Sequence, residues 1–274
     1  MARLMDYLLR SGLAQKDGLE ESQMIVIDNA SRFWFFSKAG GVGWHLRKDF
    51  PNVAPPFSDF YMEFNFPNIL GHRNDMYGCR FVSKESKDRG YKWDVEITAY
   101  AKEVEVMKVD AIWYTKVKSD GTFATLEDGR TDFKCLCMPS YIEASKTIRT
   151  NALLPCFFAI SLMHCKNVEL NTQVPPAPLS KKSEKEHGRP LVTYKILEIE
   201  PMKTVLRTEG KSETLGLKQA LHICRGHFKD YSKGGGLFGK YKGLYWWEQS
   251  VRGDPSQGVV VKDYSVNPPT DTPT

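Results

Sequence analysis

The chain has 274 residues, of which 41% are hydrophobic and 26% charged, and its net charge is +5. This fits one or two globular domains and excludes disordered, fibrous and small disulfide-scaffold chains. The longest apolar stretch, 153–163, falls far short of the roughly 20 residues of a membrane span, and Asp6 sits where a secretory leader needs apolar residues, so no membrane association is expected.

Leu4, Leu8 and Leu9 recur at helical spacing, with Gly12 as a stop. Met24–Asp28 and the aromatic run Phe33-Trp-Phe-Phe follow a polar loop, and the run needs a surface to pack on. Gly40–Gly43 and Pro51–Pro56 punctuate the chain as loops. Asp59–Phe66 alternates, with Phe60, Met62, Phe64 and Phe66 on one face and Tyr61, Glu63 and Asn65 on the other. Tyr77–Ser83, the stretch around Trp93–Ala99, and 103–118 continue the β pattern, with a turn at Ser119–Gly121 and short strands to Met138. Residues 59–138 are therefore expected to form an antiparallel meander with one buried face, leaving Asp94 and Glu96 on its solvated side.

After Pro139 the period changes. Ser140 and Glu143 have capping-box spacing, and Pro155 opens a second helical piece that is apolar nearly all round and so should be buried. Residues 171–190, with four prolines and few large apolar side chains, read as an exposed loop. Strands resume at Val192–Glu200 and Lys203–Arg207. The order gives an α+β fold, a mainly antiparallel sheet with a few packed helices. Residues 1–266 are read as a single domain and 267–274 as a disordered tail.

The six cysteines form no regular framework, so free thiols in a reducing, cytoplasmic compartment are expected. Cys135 and Cys137 share a strand face, but no second pair at zinc-ligand spacing follows; no metal and no cofactor is expected.

The chemistry concentrates at the C-terminal end. Residues 217–262 hold eight Lys or Arg against three Asp or Glu, the whole net charge of the chain. Seven glycines fall between 217 and 253. Lys233-Gly-Gly-Gly-Leu-Phe-Gly-Lys240 lacks the Gly-Lys-Ser/Thr of a nucleotide-hydrolysing loop, because Tyr241 follows Lys240. Backbone amides freed by those glycines, with Lys233, Lys240 and Lys242 around them, suit a phosphodiester; the plain alternative is a soluble hairpin loop. Tyr231, Phe238, Tyr241, Tyr245, Trp246 and Trp247 interleave with the bases, and Arg252 follows. Rings that stack bases and cations that take phosphates are the logic of single-strand recognition. Trp246 and Trp247 are adjacent on an expected strand, so one faces in and the other is the informative ring.

If the site is catalytic, its groups suit metal-independent RNA cleavage. His227, His222, Arg225 and Tyr231 are the candidates for proton transfer and charge stabilisation, with His227 first because Gly226 re-aims it among cations. Cys224 as a nucleophile with either histidine is the weaker alternative.

Arg225-Gly-His-Phe, Gly236-Leu-Phe-Gly, Gly243-Leu-Tyr-Trp-Trp and Val251-Arg-Gly, with Ala54–Phe64 and His164–Val168 upstream, resemble a widespread group of bacterial and phage-borne proteins without an assigned activity. The resemblance implies a phage or mobile-element origin and no chemistry. The partner is thus expected to be nucleic acid, single-stranded or RNA; the rival expectation is a non-enzymatic protein that binds and blocks a host protein.

Overall fold

The computed structural model describes residues 3–38, 49–65, 75–102, 106–126, 131–137, 142, 148–202, 220–224, 226–248, 250–252 and 254–259. Side chains within 36–38, 220–225 and 250–259, and at 106, 110 and 187, lie outside the description. The expected capping box at Ser140, strand at Lys203–Arg207, loop at Gly40–Gly43 and tail 267–274 fall outside the described residues.

The centre is an eight-stranded sheet in the order β6-β5-β4-β3-β2-β1-β8-β7. Its strands are β1 (Gln23–Val26), β2 (Asp59–Asn65), β3 (Met76–Glu85), β4 (Trp93–Lys102), β5 (Val106–Val117), β6 (Phe133–Cys137), β7 (Val168–Gln173) and β8 (Tyr194–Ile199). β2 to β6 form the expected antiparallel meander. β1 lies parallel to both β2 and β8, and β7 pairs antiparallel with β8, so the sheet is mainly antiparallel and the fold α+β. The helices are α1 (Leu4–Arg10), α2 (Leu13–Lys16), α3 (Asp28–Lys38), α4 (Leu154–Met163) and α5 (Ala177–His187). No described helix is long and apolar enough to cross a membrane.

α3 and α4 cover one face of the sheet. Phe60 and Phe81 stack at 5.0 Å across β2 and β3, and Phe157 of α4 packs edge-on to Phe81. Nine of the ten residues of α4 are buried, because Phe228 and Trp246 cover the side that the sheet does not. This is why its apolar residues surround the axis.

Two expectations change. The meander is not buried on one face alone: α1 lays Leu4, Met5, Leu8 and Leu9 onto Tyr61, Met76 and Tyr100 on the other side. The segment 171–190 is not a loop; β7 runs to Gln173 and α5 spans Ala177–His187. α5 escapes a pattern search because it is a polar, mostly exposed helix with no apolar stripe. Its prolines are tolerated before and within the first turn, where backbone N–H groups have no helical partner, and Gly188 closes it in the left-handed conformation at φ 75°.

Glu63 faces α1 and is only 1% exposed. Its Oε2 accepts the Met5 N–H at 2.7 Å, while Oε1 and the neighbouring Tyr61 hydroxyl face each other with no other partner among the described residues. Burial pushes its carboxyl from 4.5 up to about 7, outweighing the Met5 bond and Arg3; Asp6 and Asp28 add to the rise. The folded state therefore holds this proton more tightly than the unfolded chain. The stability it contributes is full below pH 4.5, falls as pH rises towards about 7, and is level above. Asp59, held low despite burial by Arg80 and Ser22, acts only at more acid pH. Urea unfolding at pH 5 and pH 8 should show Glu63→Gln removing a loss of about 3 kcal/mol and stabilising the protein at pH 8; a variant with the wild-type pH profile contradicts this role.

Candidate nucleic-acid interface

β9 (Ala220–Cys224), β10 (His227–Asp230), β11 (Leu244–Trp247), β12 (Ser250–Arg252) and β13 (Asp254–Val259) complete the chain. β10 pairs with β11 from His227↔Trp247 to Asp230↔Leu244, and β9 pairs with β12 from Cys224↔Ser250 to His222↔Arg252. The two ladders keep one register across the break at 225–226 and 248–249. β10 and β11 form a two-stranded ribbon with its tip at 231–243, while β9 lies between β12 and the parallel β13 in a separate three-stranded sheet.

The ribbon is pinned along the outer edge of β11. Asn167, after α4, donates from Nδ2 to the Trp246 and Glu200 carbonyls, both at 2.9 Å, and its Oδ1 accepts the Trp246 N–H at 3.0 Å. The Lys166 N–H donates to the Leu244 carbonyl at 2.8 Å. One asparagine side chain thus stands in for a neighbouring strand.

Period-two alternation then separates two faces. Inward, Trp246 packs on Phe33, Phe158 and Phe228, with centroids 6.2, 5.2 and 4.8 Å away. Gly226 is required here, since a Cβ would come within 2.6 Å of the Trp246 ring. Outward lie His227, Lys229, Tyr245 and Trp247. The His227 and Trp247 rings are 6.5 Å apart and nearly parallel at 11°. The Lys229 ammonium sits 5.3 Å from the Tyr231 ring centre and 5.8 Å from that of Trp247, a double cation–π contact. Tyr231 and Tyr241 rest edge-on against Tyr245, at 6.0 and 6.1 Å.

The tip is tightly built. Leu237 and Tyr241 exchange backbone bonds at 2.9 and 3.1 Å. Gly236, at φ 77°, faces the Tyr241 carbonyl so closely that a Cβ would sit 2.7 Å from it. Asp230 turns the chain by accepting the Ser232 N–H at 2.8 Å, and its bonds to Ser232 hold its carboxyl below the usual range. Lys233, Lys240 and Lys242 project exposed around this loop.

The expected binding set is thus brought together in part. Trp246 is 3% exposed and Tyr245 7%, so neither ring can stack on a ligand; both are corrected to supporting roles, and Trp247 is the half-buried, more exposed of the two indoles. Arg225 lies outside the described residues, as do the side chains of His222, Cys224 and Arg252. The backbones of His222 and Arg252 pair across β9 and β12. Of the expected cleavage set His227, His222, Arg225 and Tyr231, only His227 and Tyr231 have described side chains, and the Tyr231 hydroxyl is buried with no hydrogen-bond partner among the described residues. Among the described residues no three His, Cys, Asp or Glu groups gather as metal ligands. Lys229 was legible only as one more charge; its central place follows from pairing with Tyr245. Asn167 gave no local signal, being 79 residues from its partner.

No family model matches the chain, and no curated protein or solved structure is significantly similar to it.

Replacing Asn167 with Ala strands both backbone polar groups of Trp246. Denaturant unfolding should show a loss of about 2–4 kcal/mol, and tryptophan emission should shift red as Trp246 wets. Retained stability with unshifted emission would show that the ribbon is held by something else.

Proposed function

We propose that the protein binds single-stranded nucleic acid, RNA or DNA, along the outward face of the C-terminal ribbon, without cleaving it. The observation that carries this reading is the alternation of cation and ring on one accessible face: Lys229 over Tyr231 and Trp247, and Lys240 over Tyr241 at 5.6 Å, with Lys233 and Lys242 beside them. Lysines at the margins take phosphates, and partly exposed flat rings take bases of any sequence. Binding rather than cleavage fits the stacked position of His227 and the buried Tyr231 hydroxyl. A phage or mobile-element origin rests on the resemblance of the ribbon motifs. A reducing, cytoplasmic location is supported by Cys79, Cys137, Cys156 and Cys165, which are free thiols among the described residues.

Fluorescence anisotropy with a labelled 12-mer of uridine or thymidine, titrated between 50 and 200 mM salt, tests this. Wild-type affinity should fall steeply with salt. Replacing Lys233, Lys240 and Lys242 together with Ala should flatten the logarithmic slope by about 2, at roughly 0.7 per lost phosphate contact, and leave the far-ultraviolet spectrum intact. No binding at 50 mM salt ends the proposal, and salt-insensitive capture of a protein instead would favour the blocking role.

A further inference from the structure

Phe238 stands out twice. It is the only non-glycine residue with positive φ among the described residues, at 54°, and its side chain is 52% exposed. An L-residue in the left-handed conformation carries a steric penalty that glycine escapes, and β-carbon-bearing residues hold it only where the surroundings over-determine it. The surroundings do so here. Leu237 accepts the Lys240 and Tyr241 N–H groups and donates to the Tyr241 carbonyl, locking the turn around Phe238. Glycine occupies the other positive-φ positions in the loop, Gly234, Gly236, Gly239 and Gly243, so a phenylalanine among them costs stability.

We infer that Phe238 is a wedge that stacks on an unpaired base at the tip of the ribbon, between the phosphate-binding Lys233 and Lys240. This deepens the nucleic-acid reading above and rests on it. Leu237 bonds Tyr241, Tyr241 touches Tyr245, Tyr245 touches Tyr231, and Lys229 joins Tyr231 to Trp247. The exposed Phe238 thus sits in the tight turn that leads into this run of rings and cations. Apolar rings presented beside lysines are the usual means of unstacking a base step, and one stacked base changes affinity about tenfold or more. A lipid surface is the less favoured partner, because a single ring and a few lysines give weak anchoring and leave the Trp247–Lys229 face unused.

Phe238→Gly, Phe238→Leu and Phe238→Trp should be compared with wild type and with the triple lysine variant, using the same 12-mer. Phe238→Gly should lower affinity about tenfold while keeping the wild-type salt slope, and its Tm should hold or rise, since the strain is relieved. Phe238→Trp should keep or improve affinity, and Phe238→Leu should behave like Phe238→Gly. A Phe238→Gly variant that binds like wild type, when the lysine variant has lost binding, overturns the wedge and leaves the nucleic-acid reading intact. A lower Tm in Phe238→Gly also overturns it, because the ring would then be structural. Wild type that ignores the 12-mer but partitions, through Phe238, onto vesicles one-third phosphatidylserine overturns both.

Discussion

The ribbon depends on one buried side chain. Asn167 supplies a donor and an acceptor to the same residue, Trp246, and a second donor bond to Glu200. A buried amide that makes all three of these bonds is worth keeping only where it replaces missing backbone partners. Here it closes the exposed edge of β11, which would otherwise present unpaired polar groups. It also fixes rotation: once the Trp246 N–H and C=O point at Asn167, the indole has one way to turn. That way is inward, onto Phe158 of α4. Trp247 is then committed outward by the pleat alone, and with it Lys229 and His227 on the facing strand.

This explains the layering. α4 has no polar side because the sheet and the ribbon cover it from opposite directions, joined through Phe157 to Phe81 and through Phe158 to Trp246. The sheet's other face is finished by α1, where a buried carboxyl meets the first turn. Burial holds the Glu63 carboxyl well above its ordinary range, so this interface is tighter in acid than in base. The two sides differ in kind: a hydrocarbon joint on one, and on the other a joint whose strength depends on a proton.

Much of the sheet was legible because its signal is local. Alternation over 59–66 and 93–99 gave both strands and their inward faces, and the apolar surround of 154–163 gave a buried helix. What escaped was non-local or lacked contrast. β1 and β8 are separated by more than 160 residues, and nothing in either short strand specifies a parallel neighbour. α5 is a surface helix with no stripe to read. At the ribbon, adjacency showed that Trp246 and Trp247 must part company, but not which goes inward; that choice is made by Asn167, far away in sequence.

The outward face also bears on whether this is a site for chemistry or for holding. Proton transfer needs convergent groups with defined partners at hydrogen-bond distance, usually shielded from water. On the proposed reading the ribbon is laid out otherwise. Tyr231 and Tyr241 meet Tyr245 edge to face, Lys229 and Lys240 lie over rings, and the tip carries Phe238 at positive φ. A flexible polyanion would then be gripped at intervals and read weakly, its affinity coming from the number of repeated contacts more than from the strength of any one of them.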